Sequence, residues 1–472
     1  MSSHEAGALH VRGSLTPPWL KSPDDAAALV PRLWSRTVVR RGDGVLTVAG
    51  VPVTELAETF GTPAYVLDEA DFRWRAREFH RAFDAAFTEL CGGADIYYAG
   101  KAFLCTEVAR WIAQDGHFLD VCSGGELAVA LRGGVSPERI GFHGNNKSLA
   151  ELRAAVEAGV GRIIVDSFPE IERLAAVARE RGVCQRVLVR VTVGVEAHTH
   201  EFIATAHEDQ KFGFSLAGGT AYEAVEHVLA HPGALELVGL HGHIGSQIFD
   251  TSGFDVSAAR LVRMHADIAH TLGVELPELD LGGGFGIAYT AEHDPLSPAE
   301  LAAPLAEIIA RECHAQGIPV PRISIEPGRA IAGPSTLTLY EVGTVKPVDL
   351  GVAQPRYYIS VDGGMSDNVR PALYGANYSC TLANRVGEAA PVLARVVGKH
   401  CESGDIVVRD EFLPGDVCPG DLIAVPGTGA YCRALSNQYN HTPRPPVIAV
   451  RDGQARVIVR RETVDDLIAL DV

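Results

Sequence analysis

Hydrophobic residues follow two regimes along the chain. From residue 64 to about 334, short apolar runs alternate with stretches in which apolar positions recur every three or four residues. The runs are Ile96-Tyr97-Tyr98, Phe118-Leu119-Asp120-Val121, Ile140-Gly141-Phe142, Ile163-Ile164-Val165, Val187-Leu188-Val189, Leu237-Val238-Gly239-Leu240, Leu279-Asp280-Leu281 and Ile323-Ser324-Ile325. Each is too short for a buried helix, whereas 106–113, 148–158, 171–179 and 256–270 carry the helical period. Strands alternating with helices predict a parallel sheet, and this many of them predict a closed (β/α)8 barrel of the TIM type.

Past Gly333-Pro334 the helical period stops. The segments 336–345, 356–361, 392–397, 406–409, 422–425, 447–450 and 455–459 read as strands parted by Gly, Pro and Asp. They predict an antiparallel β-sandwich or barrel, joined by an early strand near 46–53. The expected division is a loose N-terminal extension over 1–35, a β domain over 36–63 and 335–472, and a cofactor-binding barrel over 64–334 inserted in it.

Composition narrows the function classes. Acidic residues outnumber basic ones 59 to 41, and the resulting charge of −18 disfavours nucleic acid and anionic membrane as partners. No apolar run reaches the ~20 residues of a spanning helix, and residues 1–35 lack a signal-peptide pattern. Nine scattered cysteines without a Cys-x-x-Cys pair fit a reducing cytoplasm better than a disulfide framework or a zinc site.

The ends of the apolar runs carry the chemistry. Lys101 closes Tyr97-Tyr98-Ala99-Gly100-Lys101, where partial desolvation would free its amine for Schiff-base formation; a lysine reaching from a strand end to solvent looks the same in sequence. Gly282-Gly283-Gly284-Phe285-Gly286 would let backbone amides approach a phosphate, aided by a following helix start, although tight turns also use glycine. Glu326-Pro327-Gly328-Arg329 ends the last run; its carboxylate could hold a pyridine nitrogen protonated or pair with Arg329. His241-Gly242-His243 has no Glu or Cys at local ligand spacing, so no metal is expected, and a ring-stacking His243 explains the pattern better. Arg370 and Tyr374, four apart, would share a helix face suited to a carboxylate, although an ordinary surface pair has the same spacing. Cys401 lies between charged residues before a glycine turn, a setting of exposed, reactive thiols, although most cysteines are buried and inert, and Tyr431 follows a strand as either core or phosphate ligand.

Tyr98-Ala99-Gly100-Lys101-Ala102, Asp120-Val121-Cys122-Ser123-Gly124-Gly125-Glu126, His143-Gly144-Asn145-Asn146-Lys147-Ser148, His243-Ile244-Gly245-Ser246-Gln247, Glu326-Pro327-Gly328-Arg329 and Cys401-Glu402-Ser403-Gly404-Asp405 occur in this order. From about residue 37 to the end the chain resembles pyridoxal-phosphate decarboxylases of the alanine-racemase-like fold group, closest to the diaminopimelate decarboxylase family. The resemblance implies decarboxylation of meso-2,6-diaminopimelate to L-lysine, with pyridoxal 5'-phosphate carried on Lys101. It implies that Glu326 faces the ring nitrogen and that His243 stacks on the ring. Ser246, Gly282, Gly283, Gly284, Gly328 and Tyr431 would hold the phosphate, with Arg329 beside the cofactor. Arg329, Arg370, Tyr374 and Tyr431 would grip the distal carboxylate and Glu402 the distal ammonium. Cys401 would be the catalytic acid, reaching with Glu402 into a second subunit, so that a homodimer is the active unit. Ornithine- or arginine-type decarboxylases lack a substrate that would suit these arginines. A racemase of the same fold would need proton donors on both faces of the ring, and a non-catalytic regulatory relative would be expected to lack the lysine or the cysteine.

Overall fold

The computed structural model describes residues 16–194, 211–351 and 355–472, without the side chain of Ser252. The chain divides into two compact units: Arg73–Ile287 with Pro295–Ile331, and a second made of residues through Phe72, Ala288–Asp294 and Ala332–Val472.

In the first unit every expected run is a strand. Ala94–Ala99, Phe118–Val121, Ile140–Phe142, Arg162–Val165, Gln185–Thr192, Leu235–Gly242, Glu278–Asp280 and Arg322–Ile325 form one sheet that closes on itself. All its pairings are parallel, and the last strand returns to the first through Ile323 opposite Ala94. This is the (β/α)8 barrel. Its helices end where the sequence supplies stops: Gly134, Gly159, Gly182 and Gly317 sit in the left-handed conformation just past helix ends. Ser148 with Glu151 and Ser297 with Glu300 close two helix starts as reciprocal capping boxes.

The barrel interior is not purely apolar. Arg162, buried on the fourth strand, lies 3.6 Å above the Tyr97 ring and donates to Ser324 Oγ at 3.0 Å. It also pairs with Asp280, whose other oxygen accepts the Gly282 N–H at 2.7 Å. A buried guanidinium thereby anchors the turn that leaves the seventh strand. Gly141 is required beside it, since a Cβ there would come within 2.4 Å of Asp120 Oδ1.

The second unit corrects three expectations. Its large sheet is mixed rather than wholly antiparallel, because Arg356–Val361 pairs with Pro391–Val397, and Val447–Arg451 with Ala64–Asp68, in parallel. Ala64–Asp68, expected to begin the barrel segment, also pairs with Thr336–Val348 and belongs to this sheet. Leu46–Val48 and Val51–Pro52 lie in a small sheet of their own, tied to the unit through the Leu46 N–H to the Ala383 carbonyl at 2.8 Å.

The N-terminal extension is not loose where it is described. Leu33 and Trp34 are buried with Leu46, Val66, Leu337, Leu339 and Ile448 in one core cluster. Residues 19–34 help to wall a cavity of about 400 Å³ with Thr290, Ser379 and Glu411. Apolar side chains interspersed with Pro and charge carried that packing without a helical or strand period to signal it. Residues 1–15 lie outside the described residues.

Candidate active site

Polar residues collect at the carboxyl ends of the barrel strands, the face on which such barrels do chemistry. Lys101 is exposed in the single turn Gly100–Ala102 that follows the first strand. Its positive charge acts on Glu126 and helps to push the His243 imidazole down.

Glu326 follows the eighth strand and does not pair with Arg329. Its Oε1 lies 3.1 Å from His143 Nε2 and 3.0 Å from His241 Nε2, and His143 Nε2 lies 3.2 Å from Asp120 Oδ1. All four side chains are buried. Burial alone would raise the Glu326 carboxyl, yet the two imidazoles hold it well below the usual carboxylate range. Burial would likewise discharge His143, but the carboxylates of Glu326 and Asp120 on either side raise it to about 9. Asp120 is pushed up to about 7, by burial first and by the Glu326 charge second. His241 is lowered, mainly by burial.

This cluster corrects the reading that no carboxylate completes the His241 neighbourhood: Glu326 and His143 arrive from other strands, with His143, His241 and Glu326 donor atoms within 4.8 Å of one another. His143 Nε2 faces the carboxylates of both Asp120 and Glu326, the geometry of an ion-pair cluster.

His243 is pushed well below its ordinary value, chiefly by burial and then by the charges of Lys101 and Arg190, so the ring is neutral. Its Nδ1 accepts the Gly283 N–H at 3.2 Å, which leaves the proton on Nε2. The glycine turn needs its residue type. A Cβ on Gly282 would meet the Gly242 carbonyl at 2.3 Å, and one on Gly283 would meet the Glu326 carbonyl at 2.3 Å. Gly282 and Gly284 also take φ of 71° and 118°. The expected helix start behind this turn is absent, since the next helix along the chain is Pro298–Gln316, so the turn itself offers loop amides without a helix end behind them. Arg329 Nη2 donates to Ser246 Oγ at 2.7 Å, so these two expected residues do come together. Gly328 packs with no room for a side chain, its Cβ position being 2.9 Å from the Ala99 carbonyl. An ionised carboxylate, a neutral imidazole, a lysine and a glycine turn beside an Arg–Ser pair form a donor set that fits a phosphorylated pyridine aldehyde.

In the second unit, Arg370 opens the short helix Arg370–Tyr374 and is buried. Its guanidinium carbon lies 5.5 Å from the Tyr374 ring, 5.5 Å from Tyr289 and 5.7 Å from Tyr431, and its Nε donates to Tyr378 Oη at 2.9 Å. Tyr289 and Tyr378 were not foreseen. Tyr289 lies within the barrel's stretch of sequence and folds with the other unit, which no periodicity reveals. Tyr431 stands at φ 63°, an uncommon conformation for a side-chain-bearing residue and one that clusters at functional sites.

Cys401 and Glu402 are exposed on the turn after Pro391–Val397. That turn is tightly held: buried Asp405 accepts the His400 N–H at 2.8 Å and the Met365 N–H at 2.6 Å. The Cys401 N–H donates to Asn440 Oδ1 at 3.2 Å. Gly364 and Gly398 are needed here, because Cβ atoms would lie 2.5 Å and 2.2 Å from the Asp405 carboxylate.

Residues 73–333 match the family model for the pyridoxal binding domain of pyridoxal-dependent decarboxylases. Over 448 residues, 94% of this chain and 98% of the relative, the sequence is 58% identical to the diaminopimelate decarboxylase of Mycobacterium tuberculosis. It is 45% identical over 429 residues to that of Bacillus subtilis, covering 91% of this chain and 95% of the relative. The crystal structure of diaminopimelate decarboxylase from M. jannaschii in complex with L-lysine aligns with a TM-score of 0.86 at 30% identity, over 93% of this chain and 98% of that one.

Proposed function

Because this chain belongs to the diaminopimelate decarboxylases, a family of pyridoxal-phosphate-dependent enzymes, we infer that it converts meso-2,6-diaminopimelate to L-lysine and CO2, the last step of lysine synthesis. L-Lysine keeps the L-configured centre of the meso compound, so the carboxylate that leaves is the one on the D centre. The cofactor, when bound, supplies an electron sink for the pair left behind.

The chain's own residues divide the remaining work. Lys101 would hold the cofactor through its side-chain amine. Glu326 would keep a pyridine nitrogen protonated, and His243, neutral and fixed through Gly283, would offer its ring face to the cofactor. Ser246, Gly282, Gly283, Gly284, Gly328 and Tyr431 bind the phosphate, with Arg329 beside them. Arg329, Arg370, Tyr374 and Tyr431 bind the distal carboxylate and Glu402 the distal ammonium. Cys401 delivers a proton from Sγ to the α-carbon. We further propose that Cys401 and Glu402 serve the barrel of a second subunit, making a homodimer the active unit, and that the enzyme works in the cytoplasm. Among the described residues, no helix is long and apolar enough to cross a membrane.

The observation that carries the substrate assignment is Arg370: a buried guanidinium walled by three tyrosine rings suits an anionic group and would repel the amine or guanidinium tail of ornithine or arginine. The test is an amine-product and CO2 assay with meso- and LL-diaminopimelate, ornithine and arginine, each with added pyridoxal phosphate. Lysine and CO2 from the meso compound alone are expected. Turnover of ornithine or arginine in its place would overturn the assignment of Arg370, and cofactor binding without CO2 release would overturn the decarboxylase reading.

A further inference from the structure

The assigned machinery uses Glu326 but leaves the three groups stacked behind it without a task. Asp120 lies near the end of the second strand, His143 follows the third, His241 lies in the sixth and Glu326 follows the eighth. Four strands thus converge their side chains on one buried point. A barrel interior closes more cheaply with Val, Ile or Leu, because burying charges carries a desolvation penalty that pairing only partly offsets. The third strand even gives up a side chain at Gly141, where a Cβ would collide with Asp120 Oδ1.

We propose that His143, bridging Asp120 and Glu326, is a positioning residue that keeps Glu326 ionised where it faces the cofactor's ring nitrogen, with His241 as its second support. The inference rests on the reading of Glu326 given above. Both imidazoles approach Glu326 through the same oxygen, Oε1, at 3.1 and 3.0 Å. A carboxylate so held can turn its second oxygen to a ring N–H. In an apolar site without His143, a buried glutamate would take up a proton and become a neutral acid, no longer favouring the protonated ring. Asp120, 3.2 Å from His143 Nε2, is the counter-charge that keeps the imidazole protonated. The other charges acting on this set include Arg162 on Asp120, Asp280 on His241 and the Glu126 carboxylate near His143. One proton on His143, shared between two carboxylates, is the balance the geometry describes.

The test compares two ligands on apo-protein: pyridoxal 5'-phosphate and its 1-deaza analogue, in which carbon replaces the ring nitrogen. Affinities are read by fluorescence, with E326Q as reference. The wild type should prefer the natural cofactor, and E326Q should abolish that preference. H143Q should weaken binding of pyridoxal phosphate by about tenfold or more while changing the deaza analogue by less than about twofold. Equal weakening of both ligands, or no change in either, overturns the role of His143. A preference that survives in E326Q overturns the reading of Glu326 itself. Should H143Q fail to fold, side-chain nitrogen NMR of the wild-type holoenzyme decides: an imidazolium at His143 near about pH 8 is expected, and a neutral ring there refutes the proposal.

Discussion

Lys147 survives in the barrel wall with its side chain 1% exposed because every one of its protons has an acceptor. Nζ donates to the Gly144 carbonyl at 2.8 Å, the Ile164 carbonyl at 2.7 Å and Glu170 Oε1 at 2.7 Å, which ties the loop after the third strand to the fourth. Removing one partner would strand the other, so Lys147→Met should destabilise the protein by about 3–5 kcal/mol in a denaturant melt. A Lys147→Met, Glu170→Leu double variant should recover much of that loss. His143 carries a pH signature. Its folded value of about 9 lies above the ordinary 6.5, so the stability it contributes is complete below 6.5 and disappears as the pH rises through 9. Thermal melts of the apo-protein should therefore fall between about pH 7 and 9.5, and H143Q should flatten that slope. Tyr378 holds Arg370 without touching its terminal nitrogens, since the bond goes to Nε. Tyr378→Phe should raise KM for diaminopimelate several-fold with kcat largely kept, in steady-state kinetics, whereas an unchanged KM would separate Tyr378 from substrate binding.

At the scale of elements, strands and helices were legible because burial repeats with a period. Ile163-Ile164-Val165 could only be a strand lined on both faces, and the structure has it as part of Arg162–Val165. Turns were legible as residue type but not as geometry. The glycines at 282–284 pointed to a close backbone approach, yet the helix expected to follow was not there; an irregular segment intervenes up to Pro298. What the glycines serve is the packing of the turn against Gly242 and Glu326. Gly283→Ala should push that turn outward and lower the affinity for pyridoxal phosphate by about tenfold or more in an equilibrium titration, with the fold retained by circular dichroism. Binding at wild-type strength would exclude the turn from the cofactor site.

At the scale of the molecule, the proposed sharing of Cys401 between subunits makes a sharp prediction. Lys101→Ala and Cys401→Ala should each be inactive as homodimers. Mixing them after dissociation should restore about a quarter of wild-type activity, since half the dimers are mixed and each then holds one complete site. No recovery would place both residues in the same subunit's site or leave the dimer idle. The order of barrel strands and the placing of Lys101 and Glu326 at strand ends were determined by sequence alone, because periodic burial and strand-end chemistry are local and leave their mark within a few residues. Which groups meet was decided only in three dimensions. Asp120, His143, His241 and Glu326 are spread over some 200 residues of chain, yet closing a sheet into a cylinder brings its strand ends together whatever their separation in sequence. Tyr289 joins Arg370, and Trp34 joins the β-unit core, for the same reason: side-chain contacts follow the packing of surfaces, and packing has no period along the chain.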